Sequence, residues 1–504
     1  MTSSVQLDRR GSQRLTANAD HGGRMVGGDR AVSWVLSAAG VVAGTTLFSL
    51  FVPALWHWMI LPTSAAGILV GVDVVEWLRG RLDVLQPRAV VALFGLHLCY
   101  LGPMLHVAWD YWPKYVQPAQ DWRTSLGVLA LVNAAGLALY RMVISVRESR
   151  SPEVLRQLDV PRFKALGAIA MSVGLLALII VVAKFGGPAG YLQVIGGNRE
   201  ALAGNGWLLI IAESWPMLLF ALVLVSRRAW FREHLLPLLL LLIAFILVQF
   251  VTSGLRGSRG NTVWPAMMAV GLVHLVVRPV RRRVLLAAAL VLVAFMYIYG
   301  FYKSVGTDVL SLADQQTTTT ALARETGRTL PLLLLEDFGR AGTQSIVVDR
   351  LTHGGELSWG MTYVGDVVGL MPNSLVPHPP GDKSAAGTDL LYAPGAYDVG
   401  IRSSRIFGLV GEGMLNLGLA GGVLAFLPFA LFVRWADRVW RTAATTDTLA
   451  VKVMAPGLTA VSVLALGSDF DNVLWLLIAQ VLPLVVVVLM ARRGRPRLRH
   501  SQRR

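Results

Sequence analysis

The stretch that decides the fold is Leu235-Leu-Pro-Leu-Leu-Leu-Leu-Leu-Ile-Ala-Phe-Ile-Leu-Val-Gln-Phe-Val-Thr-Ser253, which holds no charged side chain. An α-helix rises about 1.5 Å per residue, so a run of this length reaches the roughly 30 Å of a bilayer's hydrocarbon core. Arg227, Arg228 and Arg232 precede it, and a short turn with Arg256 and Arg259 follows.

Working outward, runs of the same kind recur nearly end to end. They fall at about 31–52, 57–77, 89–108, 125–145, 165–184, 206–225, 235–253, 262–277, 284–301, 406–433, 449–467 and 473–490. Pro53 and Ala54–Trp58 suit either a tight turn between the first two runs or a break in one long helix. Of the 504 residues, 54% are hydrophobic and 15% charged, where a soluble domain carries roughly a quarter charged. Open sheet edges find no hydrogen-bond partner in lipid, and barrel strands would alternate in polarity, which these runs do not. The expected fold class is an all-α polytopic membrane protein with about 12 transmembrane helices.

Sidedness follows from Lys and Arg. With the N-terminus inside, every cytoplasmic connection is basic: Arg79, Arg81 and Arg88; Arg141 through Lys164; Arg227 to Arg232; Arg278 to Arg283; Arg434, Arg438 and Arg441; and the tail from Arg492. Residues 1–30 are expected to be a disordered cytoplasmic tail and 491–504 a basic one. Transmembrane helices 1–9 occupy 31–301, and helices 10–12 occupy 406–490. The net charge of +16 then belongs to membrane flanks rather than to nucleic-acid binding. The single cysteine, Cys99, forms no intramolecular disulfide.

The one large connection, 302–405, falls outside. It carries 8 Lys plus Arg against 11 Asp plus Glu. Thr317–Thr320 and Pro372–Pro380 mark loops, while Leu330–Leu335 and Ile346–Leu351 suit short helices. A partly helical extracytoplasmic cap is expected there, because loops of such length are usually functional or disordered.

Several residues could carry chemistry. In Ser253-Gly-Leu-Arg-Gly-Ser-Arg-Gly-Asn261, Arg256 and Arg259 lie on the side that is otherwise poor in basic residues. They are either arginines snorkelling to the headgroups or an anion site, in which guanidinium forks and N–H groups of the next helix grip phosphate. Arg199 is a second outside arginine, either a solvated charge near Glu200 or a phosphate or sugar contact. In Gly408-Leu-Val-Gly-Glu-Gly-Met-Leu-Asn416, Glu412 and Asn416 share a helix face. Glu412 could pair with Arg402 or Arg405, or act as a general base. His353 is the best-placed imidazole of the loop, with Asp349, Arg350 and Glu356 near it, while His378 sits among prolines. Asp469 and Asp471 could bind a cation, pair with a loop arginine or face water. No CxxC pair, HExxH, P-loop or GxSxG occurs, so zinc hydrolase, ATPase and serine hydrolase gain no support.

A pattern joins three of these stretches: Gly254–Gly260, then Trp359-Gly-Met-Thr-Tyr-Val-Gly-Asp-Val-Val-Gly-Leu-Met-Pro-Asn-Ser-Leu-Val-Pro, then Gly411–Gly422. With Gly186–Arg199 before them, they resemble the bacterial O-antigen and polysaccharide repeat-unit polymerases (Wzy-type). Arg402 and Gly413 match an Arg-x10-Gly pattern of some members. The resemblance spans roughly 185–425.

It implies a cytoplasmic (inner) membrane enzyme that joins oligosaccharide units carried on undecaprenyl diphosphate, with the lipid diphosphate as leaving group. Arg256, Arg259 and Arg199 would meet the diphosphate, and Glu412 or His353 would take the acceptor's proton. Arg402, Arg405, Asn416 and Tyr363 would contact glycan or support the site. No metal and no cofactor are expected. The partners implied are the polyprenyl-linked oligosaccharide, membrane lipid, a chain-length regulator and a flippase. Three rival readings stand: a glycan ligase, a glycan or lipid transporter, and a non-catalytic assembly scaffold.

Overall fold

The computed structural model describes residues 27–113, 116–146, 157–197, 205–256, 258–305, 329–371, 375–376, 380–381, 383–401 and 406–492. Both expected tails, Thr317–Thr320, His378, Arg199, Arg402 and Arg405 fall wholly or almost wholly outside these residues. The chain is an all-α polytopic membrane protein. Eleven helices among the described residues are long and apolar enough to cross a membrane, and a bent pair adds a twelfth.

Nine spanning helices precede the cap: α1 (Gly27–Phe51), α2 (Ile60–Leu78), α3 (Pro87–Ala108), α4 (Trp122–Ser145), α5 (Val160–Lys184), α6 (Gly206–Ser226), α7 (Leu235–Thr252), α8 (Gly260–Val277) and α9 (Arg282–Val305). A 3-10 turn at Pro53–Leu55 separates α1 from α2, so the first apolar stretch is two helices. The cap holds α10 (Ala341–Thr352), α11 (Met361–Val368) and α12 (Lys383–Leu391), preceded by a π-turn at Leu332–Asp337. Then come α13 (Gly408–Leu424), α14 (Phe426–Thr445), α15 (Leu449–Gly467) and α16 (Phe470–Met490).

Two hydrophobic cores share the work. One joins α2, α3, α4, α10, α13 and α14, and the other joins α5, α6, α8, α15 and α16. In the most apolar window of α15, 83% of residues are buried, against 17% for α7, so α15 is the axis and α7 faces lipid. Several charges inside the spans are paired. Asp73 Oδ1 meets Arg88 at 2.6 Å and Arg141 at 2.9 Å, at the end of the bundle away from the cap. Nearby, Gln86 donates to Asp437 at 2.7 Å.

The tenth span departs from the single run expected over 406–433. α13 and α14 meet at 55°, and α14 continues to Thr445, so Arg434, Arg438 and Arg441 stand on a helix rather than in a connection. Within α13 the helix itself breaks at Leu417 (φ −132°, ψ 24°) and Gly418 (φ 65°, ψ −161°). Residues eight apart on a straight helix are separated by about 12 Å. Here Gly413 and Gly421 approach so closely that a Cβ on either would collide with the other's backbone, so the chain turns back on itself. The break exposes carbonyls, and the cap uses them: the Ser358 and Trp359 N–H groups donate to Leu415 and Asn416.

Candidate functional site: a buried carboxyl pair beneath the cap

Gly408 begins α13 with φ +70°, a conformation that a Cβ would strain. The two N–H groups at this start, from Phe407 and Gly408, donate to Asp469 Oδ1 at 2.8 and 2.7 Å. The other carboxylate oxygen of Asp469 meets Lys383 of α12 at 2.9 Å, and the same ammonium meets Asp471 at 2.7 Å. One cap helix is thus tied to the turn between α15 and α16.

One helical turn along, Glu412 is 2% exposed. Its Oε2 accepts the Phe470 N–H at 2.7 Å, at the first residue of α16. The Asp366 carboxyl of α11 interacts with the Glu412 side chain, and Glu412 Oε1 and Asp366 Oδ2 are both buried without a donor. A single proton held between them satisfies both oxygens. Another turn along, Asn416 donates to Thr362 Oγ1 at 2.6 Å, while its own Oδ1 stays buried without a donor. Tyr363 stands edge-on to Phe470, with ring centroids 5.7 Å apart.

Two carboxylates, Asp469 and Asp471, therefore flank the Lys383 ammonium, and its charge also reaches Asp366. Burial, reinforced by the Asp471 charge, pushes Asp366 up to about 6. Burial also raises Asp469, against the pull of Lys383. Lys383 is held above the ordinary lysine value, because Asp469 and Asp471 outweigh its own burial. Tyr363 is raised by burial and by the Glu412 charge, so its phenol keeps its proton. A carboxyl anchored by one oxygen, with the other in a shared-proton contact, is equipped to accept or donate a proton. Among the described residues no His, Cys, Asp or Glu group is arranged to hold a metal ion.

Glu412, Asn416 and Tyr363 are thus brought together. His353 is not among them. It ends α10 half exposed, its Nδ1–H donating to the Asp349 carbonyl at 2.7 Å. The two arginines of the α7–α8 turn are not open anion sites in this arrangement. Arg256 is buried against Glu213, which sits in a break of α6, and lies 5.7 Å from the Trp475 ring centroid. Arg259 Nη1 donates to Asp337 of the π-turn at 2.6 Å. The first N–H groups of α8 are also used, since Asn261, Thr262 and Val263 donate to carbonyls of the turn. Turning α7 into α8 requires these contacts, and a carboxylate is the nearest anion to each guanidinium.

Asp366 and Lys383 were not legible as site residues. Lys383 belongs to no quoted stretch, and Asp366 lies within the Trp359–Pro377 stretch without being marked out by it; each acquires its role from an element distant in sequence. Asp469 was singled out, and its partner proves to be a loop lysine, not an arginine. Arg340 is a further buried cation here, donating to carbonyls of Glu336 at 2.9 Å and Gly467 at 2.8 Å, and joining the π-turn to the end of α15.

No protein family, curated protein or solved structure matches this chain.

Proposed function

We propose that this protein is a membrane glycosyltransferase that polymerises oligosaccharide units carried on a polyprenyl diphosphate, at the outer face of the cytoplasmic membrane. The observation that carries the reading is Glu412, buried at the cap end of a broken span, with one oxygen anchored and the other against Asp366. The basic connections at the opposite end support a cytoplasmic position for that end and an outer position for the cap.

In this reading the acceptor sugar's hydroxyl approaches Glu412 and Asp366 under the cap. Its oxygen bonds to the anomeric carbon of the donor as the bond from that carbon to the diphosphate oxygen breaks. The hydroxyl proton passes to the Glu412–Asp366 pair, and the lipid diphosphate leaves as an anion. Arg259 is assigned to meet that charge by exchanging Asp337 for phosphate oxygens, since it is the more accessible of the two turn arginines. Arg256 is assigned to structure. The chain-length regulator and flippase belong to this reading as partners.

Transfer of a finished glycan to a different acceptor would use the same groups, so the product separates polymerase from ligase. Carriage across the membrane is disfavoured, because the span charges Asp73 and Glu213 are neutralised by arginines at the ends of their helices. The test is complementation of a deletion strain with wild type or Glu412→Gln, followed by electrophoresis of surface polysaccharide. Loss of the repeat ladder, with single units accumulating, is expected of the variant. A normal ladder from a correctly inserted Glu412→Gln protein would overturn the reading. Long but unattached polymer would assign the chain to ligation instead.

A further inference from the structure

α11 has two unlike faces. Thr362 and Gly365 are buried, and Asp366 reaches Glu412. Met361, Val364 and Val367 are 41%, 45% and 45% exposed, and Met371 beyond the helix end is 48% exposed. That spacing puts an apolar stripe opposite the residues that meet Glu412 and Asn416. At the helix entry Trp359 is 74% exposed in a left-handed conformation, φ +49°, rare for a bulky residue. The hydrogen bond from its N–H to the Asn416 carbonyl holds it there.

Depth is fixed by what α11 touches. Tyr363 packs on Phe470, the first residue of the last span, and Thr362 is bonded to Asn416 inside the broken span. The stripe therefore lies level with the ends of spanning helices. A tryptophan-led apolar stripe at that level matches the headgroup–acyl boundary, where Trp is favoured and amphipathic helices lie flat.

We propose that α11 and Trp359 lie in the bilayer interface, with Met361, Val364, Val367 and Met371 in contact with lipid. The helix is then the partition between the bilayer and the carboxyl pair, with lipid on one side and Glu412 on the other. This inference requires only that the chain spans a membrane, so it stands or falls apart from the proposed reaction.

The test uses the full-length protein with its one cysteine, the buried Cys99, replaced by Ala. Single cysteines are placed at Met361, Val364, Val367 and Met371, spin-labelled, and reconstituted in phosphatidylethanolamine–phosphatidylglycerol vesicles. Collision with oxygen and with a water-soluble nickel chelate is then measured by power saturation. Leu247→Cys, on the exposed face of α7, gives the lipid reference, and Thr352→Cys at the end of α10 gives the aqueous one. The stripe labels are expected to shift towards the Leu247 values, with oxygen favoured over nickel. Values matching Thr352 would overturn the proposal by showing water on that face. Protection from both reagents would overturn it in favour of a protein neighbour, such as a second copy of the chain.

Discussion

Glu412 and Asp469 cap each other's helices: Asp469 accepts the N–H groups at the start of α13, which carries Glu412, and Glu412 accepts the N–H of Phe470 at the start of α16, which follows Asp469. Each carboxylate faces the positive end of the other's helix, where anionic groups are favoured. The exchange holds two buried acids in register while leaving the second oxygen of Glu412 without a backbone donor.

Replacing Glu412 with Gln should separate those roles. The amide oxygen still accepts the Phe470 N–H, so the thermal midpoint in detergent is expected to change little. Proton transfer is lost, and glycan-transfer activity should fall by about 10²–10⁴-fold. Equal losses of folding and activity would show that Glu412 is only a cap.

Asp366 should make stability depend on pH. Its folded value is about 6 against an ordinary 3.8, so the fold favours the protonated form. Its contribution is complete below about pH 4 and is lost as pH rises through about 6. Relative to Asp366→Asn, the wild type should therefore lose thermal stability between pH 4 and 7. A constant difference between the two proteins across that window would contradict the assignment.

Lys383 neutralises Asp469, whose side chain is fully buried. Lys383→Met should destabilise the protein by about 3–5 kcal/mol, because a buried charge is left without its partner. Adding Asp469→Asn should recover much of the loss, since the amide oxygen can still accept from Phe407 and Gly408. Denaturation of the single and double variants measures the coupling, and additive losses would deny it.

The two turn arginines should behave differently as charge-free pairs. Arg256→Ala alone strands Glu213, whereas Arg256→Ala with Glu213→Gln should restore both folding and polymer. Arg259→Ala with Asp337→Asn should fold and yet lose polymer. Ladder length and detergent stability, measured together on the three variants, decide between the roles.

Gly418 occupies a backbone region open essentially to glycine, so Gly418→Ala should cost roughly 1–3 kcal/mol. Gly40 of α1, where a Cβ would meet nothing, is the control and should tolerate Ala. A similar melting shift in both variants would mean that the break is not under conformational constraint.

The spanning helices were legible because each apolar run is dictated locally: a backbone in lipid must bond to itself, and length alone sets the span. Leu332–Asp337 and Ala341–Thr352 likewise lie where short helices were expected in the long connection. Glu412, Asn416 and Tyr363 could be named from helical spacing and resemblance. The break at Leu417–Gly418 could not, because its apolar composition is that of an unbroken span and the cap's Ser358 and Trp359 supply its hydrogen bonds.

What the sequence determined by itself is the membrane class, the helices and the candidacy of Glu412, all properties of contiguous residues. Tertiary structure alone decided who answers each charge: Asp366 and Lys383 for the acids, Glu213 and Asp337 for the arginines. Those pairings join residues between 43 and 88 positions apart. They exist because a buried charge takes the nearest group that neutralises it, and only the packed bundle determines which group that is.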